Sequence, residues 1–351
     1  MKLALVGDIG GTNARFALWR DEQLEAVQVL PTADFAGPEQ AIVAYLHAQG
    51  LPLGSIGSVC LACAGPVSGN LFRFTNNHWR IDRTAFCEAL QIDRLLMIND
   101  FSAMALGMTR IAEHERVQVC PGEPQADRPA LVIGAGTGLG VGTLLEQADG
   151  RWLVLPGEGG HVDLPIGSPR EAELWQILYR QLGHVRAEDV LSGNGLLVLY
   201  RAICELDGQP LQHATPAAIT SAGLAGEPVA AAVLEQFSCW LGRAAGNNVL
   251  TLGARGGVYI VGGVVPRFAE RFLASGFAKS FRDKGCMSHY LDGIPVWLVT
   301  AEYPGLTGAG VALQQAAERS PMRWTPPSYG VIAPDCRLRN KQSRRGSPHE
   351  T

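Results

Sequence analysis

What this sequence of 351 residues lacks already narrows its roles. It has no excess of charge: 29 Lys and Arg face 33 Asp and Glu, a formal net charge of −4. Binders of nucleic acid or anionic membrane carry a basic stripe, and this balance points to neither. There is no uninterrupted apolar run of the roughly 20 residues that cross a bilayer. The first strand begins almost at Met1 with no signal-peptide pattern before it, so a soluble, cytoplasmic protein is expected. There is no disulfide framework and no zinc-ribbon spacing among the eight scattered cysteines. Cys60 and Cys63 do form a C-x-x-C inside SVCLACAGPV, but that run reads as a strand, where residues three apart point to opposite faces. Buried structural thiols are expected there.

What the sequence has is glycine, 42 residues of it, gathered in turns. The run LALVGDIGGTNARFALW, residues 3–19, is an apolar stretch, a turn on Gly7, Asp8, Gly10 and Gly11, and a second strand-like stretch. Such turns let backbone N–H groups approach an anion closely. The familiar phosphate loops lead from strand into helix; this one leads from strand to strand and has an acid in its middle. Downstream, 37–49 has helical apolar spacing, 58–64 reads as a strand, and Leu95–Ile98 is a short strand running into Asn99 and Asp100 ahead of the helical SAMALGMTRI. Strands alternating with helices indicate an α/β layer.

The opening then recurs. ALVIGAGTGLGVGTLL, residues 130–145, overlays it with Val6 on Ile133, Gly7 on Gly134 and Gly11 on Gly138, while Asp8 falls on Ala135. A third glycine turn, Gly262–Gly263, follows the strand-like Val258–Val261. A fourth, PGLTGAGVAL, reads as a helix start packed closely through small residues. The expectation is two related α/β domains holding a nucleotide: 1–110 with 301–319 returning to it, and 111–300. The Pro-, Arg- and Ser-rich segment 320–351 is expected to be a mobile tail.

VGDIGGTNAR (6–15), TNNHW (75–79), INDF (98–101), GAGTGLG (134–140), PGEGGHVDL (156–164), GHVRAEDVLSG (183–193), GGVYIVGGVVPR (256–267) and PGLTGAG (304–310), in this order, resemble the bacterial ATP-dependent glucokinase family. The resemblance implies the actin/hexokinase-type (ribonuclease H-like) ATPase fold, with the active site in a cleft between two related domains. It implies transfer of the γ-phosphoryl of Mg-ATP to the 6-hydroxyl of D-glucose, the first step of glycolysis, and a homodimer. Asp8, Gly10, Gly11, Thr12 and Asn13 would then face the phosphates from one side, with Asp8 reaching Mg²⁺ through water. Gly136, Thr137 and Gly138 would face them from the other, and Gly262 and Gly263 would let the backbone lie close to the adenosine. Mg²⁺ prefers carboxylate and phosphate oxygens, which accounts for an acid beside a phosphate turn.

The family's glucose positions fall on Asn99, Asp100, Glu158, His161 and Glu188, all of matching type. Carboxylates and amides suit a ligand that is nearly all hydroxyl. Asp100 is the expected catalytic residue, the acceptor of the 6-hydroxyl proton. Taken alone it reads equally as a helix cap, as does Ser102. The resemblance leaves two alternatives. ROK-type sugar kinases carry a zinc-binding cysteine cluster after a similar motif. Here HVDLPIGSPREAELW follows without cysteine, so no zinc is expected. A non-enzymatic sugar sensor would add a helix-turn-helix, and neither end of the chain offers one.

Overall fold

Leucine, valine and isoleucine in a near-continuous apolar run make the opening segment a strand, buried at Leu5–Gly7 and Ile9. β1 (Leu3–Ile9) turns into β2 (Asn13–Arg20), antiparallel, with Gly7 opposite Phe16 and Asp8 opposite Arg15. The structure is a computed structural model describing residues 3–65, 69–74 and 76–318; the expected tail lies outside the described residues. The chain separates into two compact units, one running to Arg110 and resuming at Tyr303, the other Ile111–Glu302.

The first unit continues with β3 (Gln23–Pro31), β4 (Ile56–Cys63), a small ribbon of β5 (Leu71–Arg73) and β6 (Arg80–Asp82), and β7 (Arg94–Asn99). Its main sheet runs β3-β2-β1-β4-β7. The second unit contains β8 (Arg116–Cys120), β9 (Ala130–Ala135), β10 (Leu139–Glu146), β11 (Trp152–Gly157), β12 (Val258–Val261) and β13 (Val296–Val299), in the order β11-β10-β9-β12-β13-β8. Apart from the added β8, the second order repeats the first. In each, a central strand pairs antiparallel with its hairpin partner and parallel with a later strand. The repeat holds in register: Gly7 lies beside Leu61 of β4, and Gly134 beside Val261 of β12. A Cβ at either glycine would run into that neighbour, which is why both strands carry glycine at this position. Across the turn the overlay slips. Gly7 pairs with Phe16 but Gly134 pairs with Gly140, so the second turn is shorter and Gly11 has no counterpart in Gly138.

Each unit has its own core. In the first, Leu5, Phe16, Tyr45, Trp79 and Phe86 are buried, and the Tyr45 hydroxyl donates to Ala26 O at 2.8 Å. Cys60 and Cys63 of β4 are both buried, and burial pushes their thiols far up from ordinary values. In the second unit, Phe237, Trp240 and Tyr200 pack under β9 and β12. The helix Pro228–Leu252 forms the spine, opened by Pro228 in its first turn and closed by Gly253 in the left-handed region at φ 64°. Its Arg243 is buried against Glu171, 3.0 Å from Nε to Oε1, and reaches Asp283 at 2.9 Å. Among the described residues no single helix is long and apolar enough to cross a membrane.

The small-residue helix expected near the end is Pro304–Ala317, and it packs on the helix Asp100–Gly107 within the first unit. The approach is backbone to backbone: a Cβ on Gly308 would collide with Ala103 O, and one on Gly107 with Pro304 O. Gly308→Ala would gain about 1 kcal/mol of helix propensity. Overpacking costs about 1–3 kcal/mol or more where the obstacle is backbone that cannot turn aside. The expected outcome is a lower Tm despite the better helix former, read by thermal unfolding; an unchanged or higher Tm would refute the close packing.

Candidate active site

In the first unit the turn between β1 and β2 is held from behind. Gly10 N donates to Asn13 O at 2.9 Å. The Asn77 side chain donates to Gly10 O at 3.0 Å. Thr32, 3% exposed, donates its hydroxyl to Gly11 O at 2.8 Å and to Thr12 O at 3.1 Å, and its N–H also donates to Thr12 O at 2.9 Å. In a trans peptide the N–H points opposite the carbonyl. Tying down the carbonyls of Gly10 and Gly11 therefore aims the N–H groups of Gly11 and Thr12 away from Thr32 and Asn77. Thr12 is exposed at the tip. A Cβ on Gly11 would stand 2.9 Å from Asn76 O, so only glycine lets the turn sit this close to the TNNHW segment.

Asp8, one residue before the end of β1, meets Arg15 across the hairpin at 3.4 Å, a long pairing in which Arg15 is the more exposed partner. Burial pushes the Asp8 carboxyl above its ordinary value; Arg15 opposes this and the negative charge of Asp100 adds to it. The first turn of the helix Pro304–Ala317 lies alongside, where Gly305 leaves space: a Cβ there would be 3.7 Å from Asp8 Oδ2. Asp8 is thus an acid in a confined place with one loosely placed cation, beside a turn whose Gly11 and Thr12 N–H groups face outward. That donor set fits a hard divalent cation carried by a phosphate.

Asp100 follows β7 directly, as the sequence indicates, and begins the helix Asp100–Gly107. The cap is neither Asp100 nor Ser102 but Asn99, whose Oδ1 accepts from Phe101 N and Ser102 N, each at 3.0 Å. Asn99 has the extended backbone of a cap, φ −63° and ψ 143°, and so takes the role its neighbours were equally suited to by composition. Its Nδ2 donates to Asp100 Oδ1 at 3.1 Å, and Phe101 N donates to the same oxygen at 2.8 Å. Both bonds fall on Oδ1, so Oδ2 is left for a ligand. Burial raises the Asp100 carboxyl above its ordinary value, opposed by these hydrogen bonds.

In the second unit the turn between β9 and β10 is Gly136–Gly138. Gly136 N donates to Gly138 O, and Gly193 N donates to Gly136 O, both at 2.8 Å; Thr137 is exposed at the tip. Glu188 lies in the short helix Ala187–Val190, 25% exposed, and accepts from Leu139 N at 2.9 Å through Oε2. The same carboxylate fills the space a Cβ on Gly138 would need. An expected sugar residue is therefore bonded to the backbone of the residue that follows an expected phosphate turn. His161 follows Glu158 in a 3-10 turn, Gly159–His161, that presses on β10: a Cβ on Gly160 would meet Leu139 O. His161 Nε2 is 3.8 Å from Glu158 Oε2, and Nδ1 is 3.8 Å from Glu188 Oε1. The three expected hexose residues of this unit thus form one group, with Glu158 outermost at 84% exposed. Gly262 sits at φ 89° against Ala135 O, and Gly263 faces open space.

The sequence did not point to Thr32 or Arg15. Thr32 lies about 20 residues from the turn it braces, in PTAD, which has no recognisable pattern. Asn77 sits inside the quoted TNNHW, but its bond to Gly10 O spans 67 positions and no spacing rule reaches that far.

Comparison with known proteins bears on the chain as a whole. A family profile described as Glucokinase matches residues 5–316. A glucokinase of Pseudomonas paraeruginosa is 59% identical over 317 residues, 90% of this chain and 94% of that protein. One from Hahella chejuensis is 46% identical over 89% and 97% of the two chains. Among solved structures, a glucokinase from an Antarctic psychrotroph superposes with a TM-score of 0.81 at 36% identity, covering 90% of this chain and 99% of that one. A ROK hexokinase from Thermus thermophilus, at 20% identity and a TM-score of 0.62, shares the fold. With a profile spanning nearly all the described residues and relatives matched over almost their full length, the chain belongs to the bacterial glucokinase family of enzymes (EC 2.7.1.2).

Proposed function

We propose that the chain phosphorylates D-glucose at O6, using ATP presented with Mg²⁺ and releasing ADP and glucose 6-phosphate. The observation that carries this reading is Asp100: a carboxylate at the end of a strand, with both internal hydrogen bonds on one oxygen and its basicity raised by burial. A base that must take a hydroxyl proton works better as its pKa rises toward the operating pH.

In this reading Asp100 accepts the 6-hydroxyl proton as the new O–P bond forms. Asn99, Glu158, His161 and Glu188 are the residues that accept from or donate to the sugar hydroxyls. In the first unit the N–H groups of Gly11 and Thr12 contact phosphate oxygens; in the second, the turn Gly136–Gly138 does so. Gly262 and Gly263 leave room for the adenosine. Phosphoryl transfer needs positioning and charge neutralisation more than covalent help, and fixed N–H groups provide both. Asp8 is the residue to hold Mg²⁺ through water; when bound, the ion neutralises phosphate charge.

A coupled assay of ADP release over a panel of hexoses, with NMR identification of the product, tests the reading. The expected result is glucose 6-phosphate, with glucose the preferred acceptor. No glucose 6-phosphate from glucose, ATP and Mg²⁺ would overturn it.

A further inference from the structure

Arg186 is the third residue of HVRAEDV and has no part in the reading above. Its guanidinium is fixed on one side by Asp189: Nε to Oδ2 at 3.3 Å and Nη2 to Oδ1 at 2.6 Å, while Arg186 N donates to Asp189 Oδ2 at 2.8 Å. Such a two-point fork removes most of the freedom of an arginine side chain. The remaining arm, Nη1, is 3.0 Å from His161 Nδ1. The backbones are joined as well: Leu164 N donates to Val185 O at 3.0 Å, Ala187 N donates to Val162 O at 2.8 Å, and Asp163 and Arg186 form a bridge. The segments bearing His161 and Arg186 therefore move as one piece.

A guanidinium N–H only donates. Toward Arg186 Nη1, Nδ1 of His161 can then only accept. We propose that Arg186 is a positioning residue that selects the neutral tautomer with its proton on Nε2, so that His161 presents an Nε2–H donor to a sugar hydroxyl oxygen. Glu158 and Glu188 both flank the ring as acceptors. Without Arg186, Glu188 beside Nδ1 would favour the opposite tautomer, and the hydrogen-bond direction offered to the sugar would no longer be single-valued. Asp189 acts one step further back, by aiming the guanidinium. This inference rests on the reading of His161 as a glucose residue.

The test separates the two. Nitrogen-15 NMR of the imidazole in the full chain without sugar reads the tautomer directly. The parent should show an unprotonated Nδ1 and a protonated Nε2; Arg186→Met and Asp189→Asn should each mix the states. A parent ring protonated at Nδ1 would overturn the proposal whatever the kinetics. In steady-state assays, Arg186→Met should raise the KM for glucose about tenfold with a smaller change in kcat, the size expected for loss of one oriented hydrogen bond. Arg186→Lys, which can donate once but cannot form the fork, should fall between. In a His161→Ala background, Arg186→Met should add little further to KM, because Nη1 bonds His161 at 3.0 Å and stands only at the 3.9 Å of a loose ion pair from Glu188 Oε1. A full additional effect in that background would assign Arg186 a separate role and sink the proposal. If His161→Ala itself leaves KM unchanged while the parent tautomer is Nε2–H, the glucose reading of His161 fails and the positioning by Arg186 stands.

Discussion

Asp100→Asn is expected to abolish nearly all turnover, leave glucose binding almost intact and make the protein more heat-stable at neutral pH. The three outcomes share one cause. The amide keeps the shape and can accept through Oδ1 from Phe101 N and Asn99 Nδ2 as the carboxylate does. It can still bond a hydroxyl, so calorimetry should find glucose affinity within about tenfold of the parent. It cannot take the 6-hydroxyl proton, and loss of a placed general base costs about 10² to 10⁴ in rate. The stability gain follows from the direction of the pKa shift. Burial raises the folded-state carboxyl above the ordinary 3.8. The folded protein then holds this proton more tightly than the unfolded chain, and stability is lost as pH rises through the folded value. At neutral pH the ionised Asp100 is a cost that the amide removes. The Tm advantage of Asp100→Asn should shrink as pH falls and vanish below the unfolded value, where both states are protonated. A variant that keeps most of its kcat, or loses glucose altogether, would make Asp100 a sugar clamp or a structural group rather than the base.

The same residue shows why so much was legible in the sequence. β7 is a plain run of apolar residues ending in Asn-Asp before a helical segment, and strand, cap and acid fall where local rules place them. The two glycine hairpins were equally readable, because Gly7 and Gly134 answer to one constraint, the parallel neighbour that crowds each from the same register position. What escaped is what depends on contacts between distant segments. The choice of Asn99 over Asp100 as cap is settled by backbone angles that composition does not encode. The slip between the two hairpins comes from turn length, which a gapless overlay cannot detect. Thr32, Asn77 and Arg186 do their work across loops: each is ordinary where it stands and meaningful only against a carbonyl or ring brought to it by the fold.

Asp8→Asn should separate nucleotide chemistry from sugar recognition. Asp8 differs from Asp100 in its partners: it has Arg15 at 3.4 Å and lies by the phosphate turn, whereas the internal hydrogen bonds on Asp100 come from Asn99 and Phe101. Removing its charge takes away the acid that would hold the cation's water shell, and charge stabilisation by a bound metal is worth several kcal/mol in the transition state. At about 1.4 kcal/mol per decade, kcat should fall about 10² or more at ordinary Mg²⁺. Arg15 loses its partner, but it is half-exposed and water compensates, so folding should not suffer. Burial and the charge of Asp100 both raise the Asp8 carboxyl. By the sign argument used for Asp100, the unliganded variant should melt no lower than the parent at neutral pH, and somewhat higher. Mg-ATP should then stabilise the variant less than the parent, since ligand-induced stability follows affinity for the folded state. Glucose should raise the Tm of both equally. Near-normal kcat at ordinary Mg²⁺, or a loss of glucose stabilisation as large as that of Mg-ATP, would remove Asp8 from the metal side of the nucleotide. The turn between β1 and β2 would then be a structural hairpin whose outward N–H groups serve some other anion.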